Sequence, residues 1–181
     1  FDTLDGKKAR ATKAYDREDP NLYEKDVDKC LTILLDIYKD LDDVPEYHNK
    51  VYLDIETERG EGINLAYCQR APMKVTSIAL YDENGGHYYV YLLDTSMQMQ
   101  ESTEGDVTVM PCSNEATLLI SFLDKWVEID PTIVVHWNGD TFDIPYLYNR
   151  MKKVLGEYKA NMLSPLQIVD FDERDPKMPY K

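Results

Sequence analysis

Val51-Tyr52-Leu53-Asp54-Ile55-Glu56 is the stretch that decides the fold: a short run of β-formers carrying two acids inside an otherwise apolar strand. Side chains alternate across a strand, so Asp54 and Glu56 leave the same face and can converge on one point. Two anions crowded together call for cations. The plain alternative is an exposed strand face with two solvated acids. Val51, Leu53 and Ile55 favour a buried strand, in which unpaired carboxylates are costly.

Downstream, Met73 to Asp82 and His87 to Asp94 read as two strands joined by the turn Asn84-Gly85-Gly86, a hairpin. Thr95 to Asp106 reads as a loop in which Met97 and Met99 carry no chemistry, and Val107 to Met110 as a short edge strand. Ser113 or Asn114 caps a helix carrying Ala116, Leu119, Ile120, Leu123 and Val127, and Pro131 closes that region. The apolar run Thr132 to His136 has the character of a strand buried in a parallel sheet. It leads through the loop Trp137 to Thr141 into a helix that starts near Asp143 to Pro145 and runs to about Gly156. Asp143 is a third candidate acid. Its plain alternative is an N-cap carboxylate, because helix starts favour aspartate in any case. Two weak strand candidates, Leu166 to Phe171 and a second near Tyr180, flank the charged run Asp172 to Pro176.

Upstream, residues 1–21 are polar and aperiodic, with Lys7-Lys8-Ala9-Arg10 as their basic cluster. Val27, Leu31, Leu34, Leu35 and Tyr38 then recur at helical spacing within a helix over residues 22–42, which Asp42-Asp43-Val44-Pro45-Glu46 breaks. From the first acidic strand onward the order is strand, strand, strand, helix, strand, helix. That order predicts an α/β fold with a ribonuclease H-like mixed sheet flanked by helices.

The 181 residues suit one domain with a sizeable core, and 43% hydrophobic content with fourteen tyrosines excludes disorder as the default. No apolar run reaches the roughly 18 residues of a membrane span, and nothing resembles a secretory signal, so a soluble intracellular chain is expected. Cys30, Cys68 and Cys112, like His48, His87 and His136, are too scattered for a zinc site or a disulfide framework. A formal charge of −14 excludes a free-standing nucleic-acid binder of the usual basic kind. The start at Phe1 and the uncapped end at Pro179-Tyr180-Lys181 have the look of cuts in a longer protein.

Val51 to Thr57 resembles the first exonuclease motif of family B DNA polymerases. The segment from His136 to Leu147, with its Trp-Asn-x-x-x-Phe-Asp-x-Pro-Tyr core, resembles the second. Through Tyr148-Asn149-Arg150 to Leu163-Ser164-Pro165 the chain is similar to the branch found in T-even-type bacteriophages, and Leu22 to Asp26 resembles a segment that precedes the exonuclease. His136 departs from the family, which usually has glycine there. A second departure is that no Tyr-x-x-x-Asp follows Asp143, although the family completes its site with that motif on a later helix.

The resemblance implies 3′→5′ proofreading by two-metal phosphodiester hydrolysis, with one Mg²⁺ or Mn²⁺ activating water and the other stabilising the leaving 3′ oxygen. Asp54 would bridge both ions, Glu56 would bind the ion holding the water, and Asp143 would hold the second. Asn138 and Phe142 would position the single-stranded 3′ end of a primer, Phe142 being equally readable as core. On this reading residues 1–48 are an arm and helix preceding a partial exonuclease domain, residues 49–181. The hairpin position near Asp172 to Pro176 would help part primer from template, or is a solvated turn. The remaining partners would be the palm, fingers and thumb, in the same or a second chain, in the cytoplasm of an infected bacterium. The isolated chain would be weakly active or inactive. The alternative is a non-catalytic interaction or structural module of a split polymerase.

Overall fold

The computed structural model describes residues 48–60 and 64–169, together with Leu34 and Ile37. The chain divides into two compact units, residues 1–46 and 47–181. Leu34 and Ile37 are helical, as expected for the helix over residues 22–42, whose other positions lie outside the described residues. So do the strand candidate near Tyr180 and the run Asp172 to Pro176.

The second unit is built around the acidic strand. β1 (Lys50–Thr57) buries Val51, Leu53 and Ile55 and exposes Tyr52, Asp54 and Glu56. It pairs antiparallel with β2 (Val75–Asp82), with Leu53 opposite Leu80, Asp54 opposite Ala79 and Ile55 opposite Ile78. Glu56 pairs with Ser77 but Thr57 with Val75, so Thr76 is an extra residue, a bulge that lets both Val75 and Ile78 reach the core. β3 (His87–Leu93) continues the hairpin with Asp82 opposite His87. The Asn84 backbone N–H donates to the Asp82 carboxylate and its side-chain amide to the His48 carbonyl, which fixes the connecting turn.

Beyond the hairpin, β5 (Val107–Cys112) lies parallel to β3, and β4 (Ser102–Glu104) pairs antiparallel with β5. Gly105, with φ of 61°, makes the two-residue turn between them. β6 (Ile133–Val135) lies parallel to β1, with Val51 opposite Val134. The sheet order is β4-β5-β3-β2-β1-β6.

The expected strands around 75–82, 87–93 and 133–135 are present, and three details differ. β4 forms inside the expected loop; its three residues are all exposed, so no hydrophobic alternation announces them. β5, expected at an edge, is covered by β4. β6, expected to be buried, is an edge strand among the described residues, with Ile133 exposed.

Four helices complete the described unit. α1 (Leu65–Arg70) is one short segment, too brief to show a period, capped by the Asn64 side chain accepting from the Tyr67 N–H. α2 (Glu115–Ile129) is capped by Asn114 and buries Leu118, Leu119, Phe122, Leu123 and Trp126 over β2, β3 and β5. The spacing assigned Ile120 and Val127 to that face, but both are exposed. Phe122 and Trp126 fill the stripe instead, which rotates the buried face from the expected one. α3 (Asp143–Leu155) packs against β1 and α1 and ends at Gly156, and α4 (Glu157–Asn161) follows it. Residues 166–169 of the weak strand candidate form no strand. The result is a mixed sheet flanked by helices, as the motif order implies. No described helix is long and apolar enough to cross a membrane.

Candidate functional site

β1 delivers two acids to one face. Its apolar side is sealed by the core, so Asp54 and Glu56 stand on the opposite, exposed side. This corrects the expectation that their strand is buried around them. It is buried on one face only, and the desolvation argument does not apply to either acid. Along the same exposed face run Tyr52, Tyr81 and Tyr88, from adjacent strands, with ring centroids 5.8 Å apart for the first pair and 4.2 Å for the second. With Asp54, Val135, His136 and Trp137 they line a mostly apolar hollow.

Asp143 reaches β1 from a different element, its carboxyl meeting the Ile55 N–H. It is the first residue of α3, only 3% exposed, and the N-cap position belongs to Phe142, which makes no side-chain capping bond. Asp143 is therefore not the N-cap its position in the sequence suggested. Burial, then the nearby charge of Asp54, push its carboxyl above the usual range of about 3.8, while the backbone N–H groups of Ile55 and of Asp143 itself hold it down. Burial is also the larger cause that raises the Cys68 thiol, with the charge of Asp143 second. The structure thus brings Asp143 within electrostatic reach of Asp54. Among the described residues, however, no three His, Cys, Asp or Glu side chains already converge as a metal cage.

The loop that delivers Asp143 is closed by its own hydrogen bonds. The Asn138 carbonyl accepts from the N–H groups of Thr141 and Phe142, and the Gly139 carbonyl accepts from Ile144. The Cys68 thiol on α1 donates to the Thr141 carbonyl at 3.6 Å. His136 Nδ1 accepts from the Gly139 N–H at 3.0 Å, and its Nε2 lies 3.6 Å from the Asp140 carboxylate. A Cβ at position 139 would sit 2.0 Å from the imidazole, so the histidine at 136 requires glycine at 139. Asn138 is exposed, as a substrate contact needs to be. Phe142 is half-buried, with its ring centroid 5.2 Å from that of Tyr146, which gives weight to its core role. Trp137, next to Asn138 in the chain, is 92% exposed.

Sequence reasoning missed the polar anchor behind the site. Arg150, buried on α3, makes a two-pronged pair with buried Glu115, Nε to Oε1 and Nη2 to Oε2, both at 2.7 Å. The available signal was Arg150 standing four residues from Tyr146 and seven from Asp143, on the buried side of the helix. Glu115 stands in the first turn of α2, where an acid is unremarkable in the sequence.

The "DNA polymerase family B, exonuclease domain" family matches residues 13–177. The chain is 30% identical over 142 residues to the "DNA-directed DNA polymerase" of Escherichia phage RB69, an alignment covering 65% of this chain and 16% of that protein. It is 28% identical over 118 residues to the "DNA-directed DNA polymerase" of Enterobacteria phage T4, covering 54% and 13%. With "DNA polymerase 1" of Sulfurisphaera ohwakuensis the figures are 31% over 112 residues, 62% and 12%. The match therefore spans only a small part of each relative's length. The mixed sheet, its flanking helices and this match agree on a ribonuclease H-like exonuclease fold. The chain belongs to the exonuclease domain family of the family B DNA polymerases.

Proposed function

We propose that this chain forms the front part of a 3′→5′ proofreading exonuclease, which removes mispaired 3′ nucleotides by two-metal hydrolysis as part of a viral-type polymerase. The observation that carries the reading is the placement of Asp143: a carboxyl buried at a helix start, its proton affinity raised by that burial and then by the charge of Asp54. Two acids held where they repel one another are stabilised by a shared cation, and an all-oxygen donor set suits magnesium or manganese.

Exonuclease domains of this family are generally dependent on divalent metal. The side chains available fit such ions in kind: Asp54, Glu56 two residues along the same exposed face, and Asp143 from α3 would hold them. When bound, the ions supply Lewis acidity and a nucleophilic water. The chain itself would hold the carboxylates in place, offer exposed Asn138 and half-buried Phe142 to the single-stranded 3′ end, and shield Asp143 from solvent. Residues 1–48 would be the preceding arm and helix, and residues 49–181 the partial domain. Palm, fingers and thumb, in the same or a second chain, would supply the basic surfaces that a charge of −14 lacks. The setting would be the cytoplasm of an infected bacterium.

A second reading, a non-catalytic module of a split polymerase, draws support from the aromatic row Tyr52-Tyr81-Tyr88, exposed at its two ends. Incubating a 3′-labelled single-stranded oligonucleotide with the chain and Mn²⁺ separates the two. Slow release of the labelled 3′ nucleotide, abolished in Asp54→Ala, supports the exonuclease reading. Release that Asp54→Ala leaves unchanged, or no Mn²⁺ binding by either protein, favours the module, whereas absent release with Mn²⁺ binding that Asp54→Ala abolishes still fits a partial exonuclease site.

A further inference from the structure

We infer that Arg150 and Glu115 are positioning residues that set where Asp143 stands relative to Asp54. The inference rests on the reading of Asp54 and Asp143 as ligands of one metal site. Asp143, Tyr146 and Arg150 lie on one side of α3, three, four and seven residues being the spacings that return to the same helix face. The polar atoms of Tyr146 and Arg150 converge on the short connection between α1 and β2, while the Asp143 carboxylate faces the Ile55 N–H of β1. The Tyr146 hydroxyl accepts from the Met73 N–H at 2.9 Å and donates to the Met73 carbonyl at 2.7 Å. Arg150 Nη1 donates to the Ala71 carbonyl at 3.0 Å and the Pro72 carbonyl at 3.3 Å. Glu115, held by the other two prongs of the guanidinium, accepts from the Val75 N–H at 2.8 Å.

Val75 begins β2 and pairs with Thr57, the residue after Glu56. A short path therefore links the acid of α3 to the acids of β1: along the helix to Arg150, across to Glu115, to Val75, and over one sheet rung. Apolar packing alone tolerates a small slide of one helix along a surface, whereas a planar fork with fixed donor directions does not. A slide of one residue moves Asp143 by about 1.5 Å. Metal–oxygen bonds tolerate only about 0.2 Å. Stability by itself is a weak reason for the pair, since apolar residues of similar volume often replace a buried ion pair without loss.

The test is the double variant Arg150→Met with Glu115→Leu in the full chain, which avoids leaving one charge buried alone, and beside it Arg150→Lys, which keeps the charge and loses the fork. Thermal unfolding establishes that each is folded, and two further readouts follow. The first needs no metal: Asp143 accepts from the Ile55 N–H, so Ile55 amide exchange measured by NMR reports its place directly. The expected result is selective loss of Ile55 protection while amides of the β2–β3 hairpin keep theirs, in whichever variant folds. The second is Mn²⁺ affinity, expected to fall about 10- to 100-fold. Folded variants with parental Ile55 protection would overturn the inference and leave the pair a purely structural one. If the parent binds no Mn²⁺ but Ile55 still loses protection, the metal reading falls and the positioning of Asp143 stands.

Discussion

Asp143, buried at the first residue of α3, and Asp54, exposed on β1, are coupled through their charges: the ionised Asp54 makes ionisation of Asp143 harder. Two acids 89 residues apart in sequence thus come within electrostatic reach, and the pH behaviour of Asp143 follows from its burial first and from the charge of Asp54 second.

Because the folded-state pKa of Asp143 is raised, its contribution to stability is fully present below the unfolded value, near 3.8, and is lost as pH rises through the folded value. Asp143→Asn keeps the shape without the charge. In metal-free urea unfolding the variant is expected to be more stable than the parent at pH 7, with the difference shrinking as pH falls toward 3.8. Divalent metal should reverse the order at neutral pH by stabilising the parent more than the variant, which binds it more weakly.

Tyr146 is fully buried, and its hydroxyl serves both polar groups of Met73. Tyr146→Phe leaves that N–H and carbonyl without these bonds, at a cost of about 1–3 kcal/mol. Thermal unfolding should show a Tm lower by several degrees, and an unchanged Tm would mean that water replaces the hydroxyl.

Gly139 and His136 are a matched pair. Gly139→Ala drives a methyl into the imidazole and is expected to destabilise by about 1–3 kcal/mol. His136→Gly in the same chain removes the obstacle and should restore most of the loss. Denaturant unfolding of the two single variants and the double variant measures this coupling.

The rotated face of α2 is equally testable. Leu119→Ala should cost about 2–5 kcal/mol, because Leu119 is fully buried. Val127→Ala, on the exposed side, should stay within about 0.5 kcal/mol of the parent. Equal losses at the two positions in chemical unfolding would contradict the packing described.

The sheet was legible where the sequence alternates or is bounded by turn residues. The hairpin about Asn84 to Gly86 and the acidic strand are of that kind, and so is the helix from Asp143 to Leu155, which opens with Pro145 in its first turn and stops at Gly156. Short elements were not legible: α1 has too few residues to show a period, and β4 has no buried side to mark it. The face of α2 was misread because Ile120 and Val127 satisfy helical spacing as well as Phe122 and Trp126 do; only the sheet beneath chooses between them. At the candidate site the three acids could be named from the two motifs. Their environments could not, since which side of β1 is covered and how deeply Asp143 is buried depend on α2 and α3 packing over the sheet. The Arg150–Glu115 pair lay outside reach for a related reason, because its partners are backbone atoms of a distant connection.

Calorimetric titration of Mn²⁺ into the chain, with Asp54→Ala and Asp143→Asn measured in the same buffer, tests the central claim most directly. The account predicts saturable binding in the parent that is abolished in Asp54→Ala, weakened in Asp143→Asn, and weaker in the parent as pH falls through the raised pKa of Asp143. Binding that is indifferent to both substitutions, or absent from the parent, would contradict it.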